Sequence, residues 1–252
     1  MSDPFLSVVV PAFNEESRLE ESLVKILEYL KSRQFTYEVL VIDDGSSDRT
    51  FAIASKYAFE EEGSRLRVHR NECNKGKGYS VRRGMLESRG RFALLTDTDL
   101  SAPIEELEKL EKRVFSEECD IAFGSRDVTG SEVVVHQPWF RENAGKAFNW
   151  VVRLLTALPY KDTQCGFKLF KMDSCKDIFR KQRIEKYAFD VEILFVARKW
   201  GLAAIEVPVV WRHSEDSKVR LFPDAPLTGL DLIRIHLFNL LGRYRRASQE
   251  TK

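Results

Sequence analysis

The feature that most constrains the fold of this chain is the alternation of short apolar runs with amphipathic stretches through its first half. Each run has the length of a buried strand, and the stretches between the runs repeat their apolar residues at helical spacing. Short connections join them, which is typical of right-handed βαβ units in a mainly parallel sheet. We therefore predict an α/β fold with a central sheet flanked by helices. The predicted strands are Leu6–Val10, Tyr37–Ile42, Leu66–His69, Phe92–Leu95 and Asp120–Gly124.

Two carboxylates closely follow the predicted strand Phe92–Leu95. Asp97 and Asp99 fall in the turn before a helical pattern that opens at Pro103, and ligands bind at this edge of open α/β sheets. A pair of hard oxygen ligands suits a divalent cation that takes its remaining ligands from water and a diphosphate. An Asp-rich turn that caps the following helix accounts for the same two residues.

Polar residues also follow the other predicted strands, and parallel strands would bring them all to one edge of the sheet. Singly, each cluster is explained by a solvated turn or by Asp-Gly turn chemistry. Together they favour a cleft lined by acids and bases, in which Gly76 and Gly78 would let backbone amides approach a ligand. Such a cleft fits a metal-bound diphosphate better than a bare anion. The residues are Asn14, Glu15, Asp43, Asp44, Lys75, Lys77 and Arg126.

Composition argues against several other classes of protein. The chain has 40 basic and 39 acidic residues, and this balance gives no global field that would attract nucleic acid. Its four cysteines show no Cys-x-x-Cys spacing, so we expect reduced thiols in a cytoplasmic protein rather than disulfides or structural zinc. We also expect neither a membrane-spanning segment nor a secretory leader.

The pattern changes after about residue 127. Asp127–Pro138 has no periodicity and is predicted to be a surface loop. Asn143–Leu158 carries an apolar stripe, Asp190–Trp200 has helical spacing, and Ala204–Trp211 resembles a strand that Pro208 confines to a sheet edge. We predict a single domain over residues 1–246, comprising a nucleotide-binding half (1–127), an acceptor-binding half (128–225) and a C-terminal amphipathic helix (226–246), with a polar tail (247–252).

Several motifs, taken in order, resemble those of the family 2 inverting glycosyltransferases. Some of them further resemble the polyprenyl-phosphate sugar synthases of that family, and among these the dolichyl-phosphate β-glucosyltransferase branch. The resemblance covers about residues 5–220, and the ordered set is far more specific than any one motif. The family motifs are Val9–Glu16, Val41–Ser46, Asn74–Gly78 and Asp97–Asp99, and those of the synthases are Asp97–Pro103, Gly124–Arg126 and Gln164–Lys168.

This resemblance implies a GT-A fold, a nucleotide-sugar donor and a bound Mg²⁺ or Mn²⁺. It implies that Asp97 contacts the nucleotide and that Asp97 and Asp99 bind the metal at the diphosphate. Ser101 stands where related mannosyl-phosphate synthases usually have Gln. The residues implied to hold the donor are Pro11, Ala12, Glu15, Asp43, Asp44, Gly76 and Lys77, and the implied cations near the donor and acceptor phosphates are Arg126, Arg141 and Lys218.

The charge of the implied acceptor determines the expected mechanism. A lipid phosphate is already anionic near neutral pH, so it can attack the anomeric carbon without a general base. The catalytic groups would then be those that balance phosphate charge, namely Asp99 through its metal together with Arg126, Arg141 and Lys218. In-line displacement would give a β-linked product from an α-linked donor. Acceptor-side candidates, for which helix-cap or structural roles are the alternative, are Gln164, Lys168, Asp190, Glu192 and His213.

An acceptor with a polyprenyl tail lies in a bilayer, and two stretches of the chain suit a membrane surface. Trp150–Leu155 and Leu237–Arg246 combine apolar and basic residues as interfacial helices do. Packing of both stripes on the sheet is the alternative. We therefore expect a peripheral protein on the cytoplasmic face of a membrane.

The sequence thus predicts a metal-dependent transferase that moves a hexose, most readily glucose from UDP-glucose, onto polyprenyl or dolichyl phosphate. One alternative is a mannosyl-phosphate polyprenol synthase that uses GDP-mannose. Another is a family 2 transferase that acts on a saccharide hydroxyl, with Asp190 or Glu192 as base. A third is a catalytically silent nucleotide-binding or membrane-docking protein, which the presence of Asp97, Asp99 and Arg126 disfavours.

Overall fold

The computed structural model describes residues 3–60, 65–135, 152–212 and 221–246. The strands in these ranges are β1 (Leu6–Ala12), β2 (Tyr37–Asp43), β3 (Leu66–Arg70), β4 (Phe92–Leu95), β5 (Ile121–Ser125), β6 (Glu132–Val135), β7 (Lys168–Lys171), β8 (Ala204–Pro208) and β9 (Val210–Arg212). Seven of them form a central sheet in the order β3-β2-β1-β4-β7-β5-β8, and β6 pairs with β9. The central pairs are parallel except those of β7, which runs antiparallel to β4 and β5.

Helices cover both faces of this sheet. They are α1 (Leu19–Lys31), α2 (Thr50–Glu60), α3 (Lys77–Glu87), α4 (Leu107–Val114), α5 (Met172–Lys181), α6 (Phe189–Lys199) and α7 (Leu221–Leu240). Residues 152–156 are also helical, and a 3₁₀ turn precedes α4. Among the described helices, none has the length and apolar character needed to cross a membrane.

The alternation of side chains along β1 explains why this strand is central. Leu6, Val8 and Val10 belong to a core that α1 and α4 complete, whereas Val9 belongs to a second core with α3, α5 and α6. A strand that is apolar on both faces must be covered on both. This is why the continuous apolar runs of the sequence predict interior strands.

The predicted α/β architecture is confirmed. Each of the five predicted strands overlaps an observed one, and the helix predicted over Asp190–Trp200 is α6. Pro208 ends β8, the last strand of the sheet order, as its predicted place at an edge requires. The central sheet draws strands from both sides of residue 127, and the division into a nucleotide half and an acceptor half stays a prediction.

Three elements after residue 127 differ from the sequence-based expectation. The loop predicted over Asp127–Pro138 is wrong for Glu132–Val135, which forms β6. The strand β7 and the helix α5 were not predicted at all, because two apolar residues between lysines carry too weak a strand signal. The described part of the stripe over Asn143–Leu158 begins at residue 152 and agrees with both expectations in part, since Leu154 and Leu155 are exposed and Leu158 is buried in the core.

Candidate active site

The turn after β4 holds Asp97 and Asp99 at the carboxyl end of the sheet. Thr98, which lies between them, is buried and donates its hydroxyl to the carbonyl of Pro11 in β1 (2.8 Å). Its own carbonyl accepts a hydrogen bond from the Ser22 hydroxyl of α1 (2.6 Å). The two carboxylates therefore flank a residue that is anchored to both a strand and a helix.

Asp99 lines a cleft of about 250 Å³. Its Oδ1 accepts the N–H of Ser101 (2.9 Å), and the Ser101 carbonyl accepts the N–H of Arg212 (2.8 Å). Three basic side chains also line this cleft, those of Arg18, Lys25 and Arg212, and the sequence analysis missed all three. Arg18 and Lys25 pair with glutamates near them in the chain, so in the sequence they look like ordinary surface charges of a helix. Arg212 alone could have been identified as a site residue, because it directly follows a predicted strand.

Asp97 contacts a lysine and a glycine from two other parts of the chain. Its Oδ1 lies 2.6 Å from Nζ of Lys77, the first residue of α3. Its carboxylate also lies against Gly166, where an added Cβ would come within 2.2 Å of Asp97 Oδ2. Any side chain at position 166 would displace Asp97 or the backbone. The motif Gln164–Lys168 thus contacts Asp97, the acid that the family resemblance expects to contact the nucleotide.

A row of alternating charges leads from Asp97 into the core. Behind the Asp97–Lys77 pair, Asp190 pairs with Lys168 (Oδ1 to Nζ, 2.7 Å), and Lys168 also donates to the carbonyl of Cys165. Lys168 is completely buried and Asp190 is 4% exposed. Buried charges are costly unless they are paired, so Lys168 and Asp190 depend on each other. The Lys168 side chain lies wholly in the core, and an acceptor-side role for Lys168 stays a prediction.

The charge states in this row follow from the neighbouring groups. Burial by itself would lower the pKa of Lys77, but the carboxylates of Asp97, Asp190 and Asp99 raise it above its ordinary value. Burial raises the pKa of Asp190, while Lys168 and Lys77 act in the opposite direction. Lys77 therefore stays cationic at neutral pH. Asp97 acts on it through a direct ion pair (2.6 Å), and Asp190 and Asp99 act through their charge.

Arg126 is held at the end of β5 by a carboxylate. Asp162 is fully buried and accepts two side-chain hydrogen bonds from Arg126, from Nε (2.6 Å) and from Nη2 (2.8 Å). The guanidinium also lies over the ring of Trp211, with its central carbon 5.2 Å from the ring centroid. Burial would lower the pKa of Arg126, and Asp162 reverses this and raises it. The result is a fixed cation that is still 27% exposed.

Asp43 ends β2, one residue beyond the predicted strand, and Asp44 follows it. The carboxylates of both residues bond to the protein. Asp44 accepts hydrogen bonds from Asn71 Nδ2 (2.7 Å) and from the amides of Lys75 (3.0 Å) and Gly76 (2.8 Å). Asp43 accepts from the Ser46 amide and pairs with Arg70. They therefore shape the loops of this edge, and their contact with the nucleotide stays a prediction.

The reason expected for Gly76 is wrong, and the approach of the Gly78 amide to a ligand stays a prediction. The Gly76 amide points to Asp44 rather than to a ligand, and its φ of 105° is one that other residues rarely adopt. A Cβ at Gly76 would lie 2.4 Å from the carbonyl oxygen of Glu185, and one at Gly78 would lie 2.6 Å from that of Ile184. Both glycines are needed because the chain before α6 crosses them closely.

Glu192, named as an acceptor-side candidate, has the contacts of the structural alternative. It is completely buried, and its two carboxylate oxygens accept hydrogen bonds from the amides of Arg183 and Ile184 (both 2.8 Å) and from the Tyr244 hydroxyl (2.6 Å). Burial raises the pKa of Glu192, and these donors oppose the shift. This carboxylate is structural, since it ties α6 to the chain that follows α7.

The other predicted residues fall into two groups. Pro11 and Ala12 end β1, and Glu15 forms an ion pair with Arg18 beside the cleft. Gln164 is partly buried, and its amide donates to Asp162 Oδ1 (3.3 Å). The predicted residues Arg141, His213 and Lys218 lie outside the described residues.

The carboxylates at this edge fit a divalent cation that is shared with a ligand. Across the four described ranges, no three His, Cys, Asp or Glu side chains cluster closely enough to hold a metal ion by themselves. Asp97 and Asp99 are nevertheless the hard oxygen donors that Mg²⁺ or Mn²⁺ prefers, and a diphosphate and water would complete the coordination. Asp99 fits best, because Asp97 is already paired with the ammonium of Lys77, whereas among the described residues Asp99 accepts only a neutral backbone N–H.

The comparison with known families identifies the class of this protein. The sequence profile of glycosyl transferase family 2 matches residues 7–179, which run from β1 into α5. The chain therefore belongs to glycosyltransferase family 2, as its motifs predict, and it is an enzyme of the glycosyltransferase type.

Similar proteins indicate which branch of the family the chain resembles. It is 38% identical over 250 residues to a protein of Homo sapiens named dolichyl-phosphate beta-glucosyltransferase, over 95% of this chain and 77% of the human one. It is 32% identical over 256 residues to the protein of that name in Saccharomyces cerevisiae, over 96% of this chain and 77% of the yeast one. The resemblance to this branch is confirmed.

Solved structures agree on the fold. Mannosyl-3-phosphoglycerate synthase from Rubrobacter xylanophilus matches with a TM-score of 0.67 at 16% identity, over 97% of this chain and 77% of that one. Glucosyl-3-phosphoglycerate synthase from Mycobacterium tuberculosis, in complex with Mn²⁺, UDP-glucose and phosphoglyceric acid, matches with a TM-score of 0.63 at 19% identity, over 96% and 80% of the two chains. The predicted GT-A fold is confirmed.

Proposed function

We propose that this enzyme transfers glucose from UDP-glucose to dolichyl or another polyprenyl phosphate, with Mg²⁺ or Mn²⁺, to form a β-linked lipid-phosphate sugar. The observation that carries the proposal is the identity of 32–39% that nearly the whole chain shares with proteins named dolichyl-phosphate beta-glucosyltransferase. The arrangement of Asp97, Asp99 and Lys77 at one sheet edge supports it, because a diphosphate and its metal need these groups.

The positions of the two carboxylates suggested as a base support a phosphate acceptor. Among the described residues, the two carboxylates suggested for that role are Asp190 and Glu192, and both are committed inside the protein. Asp190 pairs with Lys168, and Glu192 accepts three hydrogen bonds. A saccharide hydroxyl must lose a proton as it attacks, whereas a phosphate monoester is already anionic. This favours lipid phosphate over the saccharide hydroxyl alternative.

Fixed positive charge provides the other requirement of the reaction, since two anionic phosphates must come together. Arg126 is a cation held in place by Asp162, and Arg212 is a second cation that lines the cleft beside Asp99. Such preorganised charge stabilises a transition state more effectively than mobile groups do. A divalent ion, when held by Asp99 and Asp97, supplies the charge that stabilises the departing nucleoside diphosphate.

We place the reaction on the cytoplasmic face of a membrane, with the enzyme bound peripherally. The acceptor's polyprenyl tail lies in a bilayer, and all four cysteines of the chain are free thiols. Free thiols suit a reducing compartment.

A donor and acceptor panel tests the proposal. Purified enzyme is incubated with Mn²⁺, a short-chain polyprenyl phosphate and either UDP-glucose, GDP-mannose or UDP-N-acetylglucosamine, and the glycolipid is measured. Of the three donors, we expect only UDP-glucose to give glycolipid, and the NMR spectrum of that glycolipid should show a β-linkage. Preferential turnover of GDP-mannose, or transfer to a free saccharide without lipid phosphate, would contradict the proposal.

A further inference from the structure

The helix α7 exposes an apolar stripe to solvent. Leu230, Ile233, Leu237 and Leu240 are 53%, 60%, 51% and 82% exposed, and their spacing places them on one face of the helix. Leu232 and Ile235, on another face, are fully buried in the core. We call these four exposed residues the α7 stripe. It lies outside the core that the rest of the helix completes.

Such a stripe needs a partner to cover it. Single exposed leucines are common on protein surfaces, but an aligned row of large apolar side chains is typical of an interaction site. Among described residues, the other large hydrophobic side chains with high exposure are Leu241 at the end of the helix, Leu154 and Leu155, and Val134 on β6. The exposed apolar surface is thus concentrated on α7 and residues 154–155.

The charge beside the stripe selects the kind of partner. Arg243 and Arg245, just beyond the end of α7, are exposed, and Arg234 within the helix is 61% exposed although it pairs with Asp231. An apolar face bordered by arginines suits the interface of a bilayer that contains anionic lipids, because acyl chains take the leucines and headgroups take the guanidiniums. A neutral protein groove would leave these cations without counter-charges.

The stripe is rigidly joined to the helix that supports the site. The hydroxyl of Tyr244 donates to Glu192 in α6 (2.6 Å), and the Tyr244 carbonyl accepts the indole N–H of Trp200 (2.9 Å). The same helix carries Asp190, whose charge acts on Lys77. The end of α7 therefore has a fixed relation to the catalytic edge, as an enzyme that takes its acceptor from a membrane requires.

We propose that the α7 stripe and the arginines beside it dock this enzyme on the surface of an anionic bilayer. The inference rests on the proposed function, since a polyprenyl phosphate lies in a membrane, and it names the surface that brings the enzyme there. The chain provides a close control, because Val134 on β6 has the same exposed fraction, 51%, as Leu237. Leu237→Glu and Val134→Glu add the same charge at equal exposure.

Vesicle flotation tests the docking surface without any donor or acceptor. The full chain is mixed with vesicles of equal parts phosphatidylcholine and phosphatidylglycerol, and with vesicles of phosphatidylcholine alone. We expect flotation with the anionic vesicles, on the order of tenfold weaker for Leu237→Glu and unchanged for Val134→Glu. The double variant Arg243→Gln/Arg245→Gln should lose the preference for anionic vesicles. Equal flotation of Leu237→Glu and the parent would overturn the proposal.

Two further measurements keep docking separate from catalysis and from self-association. Turnover of a short, water-soluble polyprenyl phosphate should be the same for Leu237→Glu and the parent. If the parent floats with anionic vesicles but shows no turnover, the proposed function fails and the docking surface stands. Sedimentation equilibrium reports the mass in solution. A dimer that Leu237→Glu dissociates, with no flotation of the parent, would assign the stripe to a second copy of the chain and overturn bilayer docking.

Discussion

Asp99 is the carboxylate on which the metal assignment depends most directly. Its Oδ1 bonds to the Ser101 amide, and the residue lines the cleft with three basic side chains. Asp97, by contrast, is already paired with Lys77. At the scale of single residues the two acids of the motif therefore have different environments, although the sequence presents them as equivalent.

We predict that Asp99→Asn lowers metal-dependent turnover by about 100-fold, because a neutral amide binds a divalent cation far more weakly than a carboxylate. The fold should persist, since the amide oxygen can still accept the Ser101 N–H. Steady-state rates with Mn²⁺ and the urea unfolding curve measure the two effects. A rate equal to that of the parent would refute the metal assignment.

Asp190→Asn should destabilise the protein strongly. It leaves the fully buried ammonium of Lys168 without its counter-charge, and breaking a buried pair in this way costs about 3–5 kcal/mol. Asp177→Asn is the matched control, because Asp177 pairs with Arg180 at the surface and such pairs contribute about 0–1 kcal/mol. Equal unfolding midpoints for the two variants would show that Lys168 is not buried as described.

The contribution of Asp162 to the free energy of unfolding should depend on pH. Burial would raise the pKa of Asp162, but the charge and the hydrogen bonds of Arg126 together lower it below its ordinary value of 3.8. A lowered folded-state pKa stabilises the protein above pH 3.8, and this stability is lost as the pH falls through the folded value. The free energy of unfolding should therefore differ between the parent and Asp162→Asn at pH 7 and converge on acidification. A difference that grows toward low pH would contradict this.

At the scale of elements, burial decides what the sequence can predict. The strands β1, β2 and β4 were predicted because they are continuous apolar runs covered on both faces. The strand β7 was missed because it begins with a lysine, and Lys168 is buried only through its pairing with Asp190 in α6. A partner so distant in the chain leaves no trace in local periodicity.

The loop before β7 gives a test of the site at the same scale. Gly166→Ala would bring a Cβ to 2.2 Å from Asp97, and a displacement of about 1 Å in a catalytic group can cost on the order of 100-fold in rate. Gly229→Ala is the control, because no atom lies within 4 Å of the added Cβ. It should leave the rate unchanged and add up to about 1 kcal/mol of stability through helix propensity. Full activity of Gly166→Ala would show that the position of Asp97 does not affect the rate of catalysis.

At the scale of the whole molecule, the sequence predicted which residues share one edge of the sheet but not the network behind them. Asp97, Asp99, Lys77 and Arg126 each follow a predicted strand, and the parallel direction of those strands brings them to the same edge. The anchoring partners came from distant loops. Asp162 for Arg126 and Gly166 for Asp97 both precede β7, and only the folded sheet brings them there.

Ligand binding should stabilise the whole chain in a metal-dependent way. UDP-glucose at 100 times its Kd adds about 2.7 kcal/mol to the free energy of unfolding if it binds only the folded state. We expect a rise in Tm with UDP-glucose and Mn²⁺ together, and removal of the metal with EDTA should abolish most of it. In Asp99→Asn the rise should no longer depend on Mn²⁺. A rise that EDTA leaves intact would show that the donor binds without metal.

The reversed direction of β7 has a consequence for the loop before it. Because β7 runs against its neighbours, Lys168 lies opposite Leu95, the last residue of β4, and the segment that enters the strand, rather than the one that leaves it, lies against Asp97. A change of conformation in that entering segment would therefore displace Asp97 directly.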